Sequence, residues 1–228
     1  DQKYLTIQKH ESFDLLIWNY SHRCQFARHW TKETMQARGL ITDSKGNVVA
    51  RPFSKFFNLS EHTGEDSKLP PLPVEDFEVF DKLDGSLNVS FWINDKMFLA
   101  TRGSFVSDQA IKGTQMLAKY PDMDWDKRFT YLLEILYKEN RIVVDYGGRE
   151  DLILLAVINT ETGEEMSYSE IKAKYEGKVP IVERFDGITD LEKIKEVQRD
   201  NAEGFVIRFK SGVRVKSKLA EYLRLHRL

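Results

Sequence analysis

Lys82-Leu83-Asp84-Gly85 is the tetrapeptide in this chain best equipped to do chemistry. A lysine attacks an electrophile only as the free amine, so desolvation or neighbouring cations must lower its ordinary pKa of about 10.4. Side chains alternate along a strand, which sends Lys82 and Asp84 to one side and Leu83 to the other. Gly85 lets a ligand or another backbone come close. Taken alone, such a Lys/Asp pair before a turn glycine is more often a solvated strand end.

Other residues along the chain strengthen the chemical reading. Arg38-Gly39-Leu40-Ile41 and Arg51-Pro-Phe-Ser-Lys55-Phe-Phe-Asn-Leu59 lie upstream, and Arg102-Gly103-Ser104 closes the hairpin after Lys82. Glu134 interrupts the otherwise apolar Tyr131-Leu-Leu-Glu-Ile-Leu-Tyr137, where a carboxylate costs stability unless it is paired. Glu203 likewise leads the apolar run Gly204-Phe-Val-Ile-Arg208, and Lys216-Ser217-Lys218 puts two ammonium groups on one face of the last strand. Singly, Glu134 reads as half of a buried ion pair and Lys216 and Lys218 as solubilising strand-end charges. Their order and spacing together are not explained that way.

The elements that must carry these residues are mostly strands. Gly39–Thr42 and Asn47–Arg51 flank the turn Asp43-Ser-Lys-Gly46, and Phe77–Leu83, Ser86–Ile93 and Lys96–Thr101 are rich in Val, Phe and Trp. Phe129–Tyr137, Arg141–Tyr146 and Leu152–Asn159 read as further strands, and Gly204–Phe209 with Val213–Lys218 as a last hairpin. Helical periodicity marks Ser107–Tyr120, Ser169–Tyr175, Leu191–Asp200 and Leu219–Leu228. Strands and helices do not alternate regularly, which disfavours a parallel doubly wound sheet and predicts an α+β fold of antiparallel sheets packed against helices. Glu61–Pro73, ending in Leu-Pro-Pro-Leu-Pro, reads as an exposed, partly stiff loop.

With 228 residues, 41% of them hydrophobic, the chain can bury a sizeable core as one large domain or two small ones. A net charge of -2 excludes a nucleic-acid binder that works by bulk positive charge, though not an enzyme with a local basic cleft. Cys24 is the only cysteine, so no intrachain disulfide and no CxxC zinc site exist, as suits a reducing compartment. The longest apolar run, Leu152–Ile158, is too short to span a bilayer, and no secretory leader opens the chain. A start at Asp1 rather than Met suits a processed or trimmed chain. His10, His22, His29, His62 and His226 show no metal-binding spacing, and no G-x-x-x-x-G-K-[ST] occurs. Gly147-Gly148 reads as a turn, and Lys112 and Lys119 as a solvated helix face rather than RNA contacts.

Laid out in order, these motifs resemble those of the covalent nucleotidyltransferases, and specifically the bacteriophage-type ATP-dependent RNA ligases of the first kind. Lys82-Leu-Asp-Gly-Ser-Leu87 is similar to the family's nucleotidyl-lysine motif. The Arg38 and Arg51–Leu59 segments resemble its upstream triphosphate-contacting segments. Glu134 with Asn140–Val143, Glu203-Gly-Phe-Val and Val215–Lys218 resemble its later motifs. Tyr222-Leu-Arg-Leu-His226 resembles the start of the segment beyond the last motif in that branch. The resemblance runs from about Tyr20 to the C-terminus.

It implies a nucleotidyltransferase (ATP-grasp-like) fold, an adenylyltransferase domain over residues 1–228 lacking the usual C-terminal domain, and a three-step reaction. Lys82 takes AMP from ATP, AMP passes to an RNA 5′-phosphate, and a 3′-hydroxyl seals the strand, in RNA repair or tRNA processing. Lys216 and Lys218 would neutralise the α-phosphate and help depress the pKa of Lys82. Arg38, Lys55 and Arg102 would hold the rest of the triphosphate or the incoming 5′-phosphate, and Tyr20 would contact the nucleotide. Glu134 and Glu203 would bind ribose hydroxyls and, with Asp84, orient water on Mg²⁺ (or Mn²⁺). The partner implied is RNA with a 5′-phosphate and a 3′-hydroxyl, in the cytoplasm or in a host's cytoplasm. A capping guanylyltransferase, a DNA ligase core and a non-catalytic nucleotide- or RNA-binding module stay open beside it.

Overall fold

A computed structural model describes residues 3–228. The strands in chain order begin with β1 (Leu5–Lys9), β2 (Leu16–Tyr20), β3 (Arg38–Thr42), β4 (Val48–Ala50), β5 (Phe57–Asn58) and β6 (Phe77–Lys82). They continue with β7 (Ser86–Ile93), β8 (Lys96–Thr101), β9 (Phe129–Leu136), β10 (Asp151–Asn159), β11 (Arg184–Phe185), β12 (Gly204–Phe209) and β13 (Arg214–Lys218). The helices are α1 (His22–Ala27), α2 (Lys32–Gln36), α3 (Asp108–Met116), α4 (Tyr168–Tyr175), α5 (Leu191–Glu196) and α6 (Ala220–His226). No helix among the described residues is long and apolar enough to cross a membrane.

Contacts divide the chain into two compact units, one of residues 1–55, 86–136 and 150–181, the other of residues 56–85, 137–149 and 182–228. The first unit holds two antiparallel four-stranded sheets, ordered β1-β2-β3-β4 and β10-β9-β7-β8. Ile17, Ile41, Val89, Phe91, Leu132 and Ala156 lie at the centre of its core. Helix α3 packs on β8, where Thr114 Oγ1 accepts the amide of Leu99 at 3.0 Å.

The second unit is built on one five-stranded sheet, ordered β11-β6-β12-β13-β5. Its pairs are antiparallel except the short β13–β5 pair, which is parallel. Period-two alternation puts Val79, Phe205, Ile207 and Val215 in the core of this unit, each at most 1% exposed. Burying each such side chain contributes ~1.5–3 kcal/mol. The opposite face of the same three strands carries Lys82, Arg208, Lys216 and Lys218 beside Phe80 and Val206.

Ser86–Ile93 and Lys96–Thr101 form the strands the sequence predicts, and the other predicted helices and strands hold to within a few residues, with one exception. Arg141–Tyr146 is not a strand: a short 3-10 turn at Lys138–Asn140 leads into irregular chain. The amides of Val143 and Val144 donate to the carboxylate of Asp84, so they have no strand partner to pair with. Residues 62–76 carry neither helix nor strand, as the prolines require.

Gly204 opens β12 at φ +154°, and a Cβ there would lie 2.1 Å from the carbonyl oxygen of Ser217. Gly204→Ala is expected to destabilise the fold by about 3 kcal/mol, from backbone strain plus overpacking. Chemical denaturation followed by circular dichroism checks it, and an unchanged midpoint would refute the close approach.

Candidate active site

Strand register assembles the first cluster, in the second unit. Lys82 on β6 lies opposite Gly204 on β12, which lies opposite Lys218 on β13. Partners across antiparallel strands share a face, so two lysines flank a residue with no side chain. Both ammonium groups reach Glu203, the residue before Gly204: Lys82 Nζ is 3.2 Å and Lys218 Nζ 3.9 Å from the same Oε1. Lys216 shares this face two residues along, with its ammonium 5.9 Å from the Phe56 ring centre. Glu203 is only 5% exposed. Burial raises its pKa above the ordinary carboxylate value and Asp84 adds to the rise, while Lys82 and Lys218 oppose it.

Asp84 is equally enclosed, at 3% exposure. Its Oδ2 accepts the amides of Val143 and Val144, both at 2.8 Å, and its Oδ1 accepts the phenol of Tyr222 on α6 at 2.7 Å. Its own amide donates to the Tyr146 hydroxyl at 2.7 Å. Burial, and then donation to Asp84, push the Tyr222 phenol well above the ordinary tyrosine value, so it stays a donor. These contacts fix the turn after Lys82. Neither Tyr146 nor Tyr222 carries a role in the sequence reading, because an isolated tyrosine gives no sign of which buried acid it will meet.

The second cluster is in the first unit and gathers Tyr20, Arg38, Lys55 and Arg102. The Arg102 guanidinium lies over the Tyr20 ring at 4.5 Å, and Lys55 Nζ is 5.5 Å from the same ring and 5.4 Å from that of Trp30. Asn19 clamps Arg102 twice, accepting from its Nε at 3.0 Å and donating to its carbonyl at 2.8 Å. Gly39 (φ +87°) leaves room for this approach, since a Cβ there would sit 3.3 Å from Arg102 Cα. Burial alone would raise the Tyr20 pKa, but Arg102, Lys55 and Arg38 together hold it below the ordinary value. Among the described residues neither Arg38 nor Arg102 has an ion-pair partner, so the cluster carries uncompensated positive charge suited to an anion. Asn19 and Trp30 are the members that the sequence reading missed.

Glu134 stands in the middle of β9, opposite Leu87 on one side and Ile153 on the other, and is more exposed than its buried neighbours in the strand. Of the three acids expected to serve a metal, Asp84 and Glu203 lie in one unit and Glu134 in the other. Among the described residues no group of three or more His, Cys, Asp or Glu side chains is placed to hold a metal ion. Lys112 and Lys119 are paired with Glu150 and Asp151 at 3.5 Å, so they form a neutralised, solvated face.

A family model described as RNA ligase matches residues 36–222, most of the chain and all of these residues except Asn19, Tyr20 and Trp30. The chain belongs to the RNA ligase family. Over its whole length this RNA ligase family member is 29% identical to a bifunctional polynucleotide kinase/RNA ligase of Autographa californica nuclear polyhedrosis virus, of which it spans 35%. Over 75% of its length it is 31% identical to an RNA ligase of Thermovibrio ammonificans, of which that match covers 46%. The chain thus spans less than half the length of either relative. An archaeal ATP-dependent RNA ligase structure resembles it with a TM-score of 0.64 at 14% identity, over 96% of this chain and 59% of that one. An ATP-dependent DNA ligase from Aquifex aeolicus gives 0.61 at 17% identity, over 97% and 60%. The fold is therefore that of the nucleotidyltransferase domain of ATP-dependent ligases, α+β as the sequence implies.

The geometry of this family member leads to two expected outcomes. Tyr222→Phe leaves a buried carboxylate short of one donor and is expected to cost ~1.5–3 kcal/mol in urea denaturation; no change would show that Asp84 does not need the phenol. Ultraviolet titration is expected to find a tyrosine that ionises below the ordinary range, absent in Tyr20→Phe and shifted upward when added pyrophosphate neutralises the surrounding cations. A titration that pyrophosphate leaves unmoved would rule out anion binding at this cluster.

Proposed function

We propose that this chain is the adenylylating part of an ATP-dependent RNA ligase, acting through a lysyl-AMP intermediate on Lys82. The observation that carries the reading is the row Lys82-Gly204-Lys218 set around the buried Glu203 in a member of the RNA ligase family. A lysine in a cationic, partly desolvated place beside a carboxylate able to take its proton is equipped for nucleophilic attack. Nζ is here an ammonium donor to Glu203, so a proton leaves before attack, and a carboxyl whose proton affinity burial has raised is suited to accept it.

Nζ then bonds to the α-phosphorus of ATP as the bond to the bridging oxygen breaks and pyrophosphate departs. A 5′-phosphate oxygen of RNA displaces the lysine, which regains its proton. A 3′-hydroxyl finally attacks the RNA phosphorus and expels AMP. Lys216 and Lys218 stabilise charge on the α-phosphate, because phosphoryl transfer is helped chiefly by positioning and electrostatics. In the first unit the cations Arg38, Lys55 and Arg102, with Tyr20, are suited to hold phosphate oxygens.

A divalent ion fits this donor set through water. Mg²⁺ keeps most of its waters and takes other ligands from substrate phosphates, so it needs no ready-made cage. In the second unit Glu203 would hold it; Asp84 is left out because its oxygens already accept three protein hydrogen bonds. Once bound, the ion neutralises phosphate charge. Action on RNA with 5′-phosphate and 3′-hydroxyl ends, in repair or tRNA processing, is part of the same proposal.

Incubation with Mg²⁺ and α-labelled ATP is expected to leave label on the denatured protein, with none from GTP. The adduct is expected to vanish in Lys82→Ala and to fall at least tenfold in Lys216→Ala or Lys218→Ala, a loss of ~1.4 kcal/mol or more in transition-state stabilisation. An adduct surviving in Lys82→Ala would overturn the nucleophile assignment. A GTP adduct would move the reading to capping, and sealing of nicked DNA in preference to RNA would move it to DNA ligation.

A further inference from the structure

Helix α1 and the turn after it carry the densest unpaired positive charge that the proposed chemistry leaves unused. From Ser21 to Lys32 the chain has Arg23, Arg28 and Lys32, with His22 and His29, and no acid, although the whole chain has a net charge of -2. All three cations are exposed, and among the described residues none has an ion-pair partner. Lys112 and Lys119, also on the first unit, are instead neutralised by acids.

An aromatic ring stands among these charges. Helix α1 buries Cys24 completely and turns Arg23 and Phe26, three residues apart, to the solvent on one face. Phe26 is 93% exposed, which forfeits the burial a phenylalanine would otherwise gain. Arg28 ends the helix in the left-handed region (φ 52°), where its amide caps the carbonyls of Cys24 and Gln25. Glycine fills such a position at less cost, so the guanidinium is kept against a local conformational penalty. His29 comes next, its ring stacked on Tyr4 at 4.0 Å, and then Trp30, whose ring meets Tyr20 edge-on at 5.0 Å and lies under Lys55. The strip therefore runs without a break into the cationic cluster around Tyr20.

We propose that this face, centred on Phe26 with Arg23 and Arg28 beside it, binds single-stranded RNA near the end being joined, with a base stacked on Phe26 and backbone phosphates on the two guanidinium groups. The proposal rests on the reading of the chain as an RNA ligase. Unpaired cations interleaved with an exposed flat ring complement a strand that offers a negative charge and a π-face at every nucleotide.

The test is fluorescence anisotropy of a dye-labelled, 5′-phosphorylated single-stranded RNA titrated with the chain over a range of salt. Phe26→Ala is expected to weaken binding between about fivefold and a hundredfold. The double variant Arg23→Gln with Arg28→Gly is expected to flatten the slope of log Kd against log salt by roughly 1.4, as loss of two phosphate contacts requires. Arg28→Gly suits the left-handed cap, and the other positions are exposed, so melting is expected to stay at the wild-type temperature. The lysyl-AMP adduct is expected to form as in wild type, because none of these residues belongs to the Lys82 cluster. Unchanged affinity and slope in both variants would overturn the proposal and leave the face to a protein partner. Absence of an adduct in the wild-type chain would overturn the ligase reading instead, whatever the RNA titration gives.

Discussion

The carboxylate of Asp84 is buried, and distant parts of the second unit converge to give it donors. An ionised group taken out of water costs several kcal/mol unless donors replace the solvent. Here the donors come from far along the chain: amides 59 and 60 residues away and a phenol 138 residues away. Meeting this one demand ties the end of β6 to the 141–149 segment and to α6. It also explains why Val143 and Val144, apolar enough to suggest a strand, give their amides to a side chain instead of a sheet. The turn after Lys82 is thereby held from two sides, and so is the direction in which the lysine leaves its strand.

Around that anchor the charges do not balance locally, and the imbalance has a use. Lys82 and Lys218 share a single buried carboxylate, with Gly204 letting β13 approach closely between them and Lys216 on the same face. In the other unit Tyr20 is surrounded by Arg38, Lys55 and Arg102, and the positive field there holds this buried phenol below its ordinary pKa. The near-neutral charge of the whole chain hides both clusters, because acids elsewhere cancel them in the sum.

The sequence reading and the fold agree most closely where local pattern and tertiary context ask for the same thing. Ser86–Ile93 and Lys96–Thr101, rich in Val, Phe and Trp on either side of Asn94-Asp95, form the strands so read. The reading is weakest before residue 38. There β1 is largely exposed and carries little apolar alternation, and α1 and α2 are shorter than two turns, too short to show a helical period. Their signals were the N-cap residues Ser21 and Thr31, whose side chains accept amides three residues on. At Arg141–Tyr146 the apolar Ile-Val-Val run misled, since the competing acceptor, Asp84, sits in another motif.

By itself the sequence determined which chemical groups are available: a lysine before Asp-Gly, acids leading apolar strands, paired lysines on a last strand, and arginines in separate upstream and downstream segments. It also determined the α+β class, because period-two and period-3.6 patterns are local properties of the chain. Only the tertiary structure decided which groups meet. Strand register, which depends on pairing between distant segments, put Lys82, Gly204 and Lys218 in one row. Burial of Asp84 chose Tyr222 and the 143–144 amides as its partners, and the packing of Arg102 over Tyr20 made separate cations into one anion-seeking cluster. Partnership between residues is a property of three-dimensional proximity and desolvation, and neither is written in residue type or spacing.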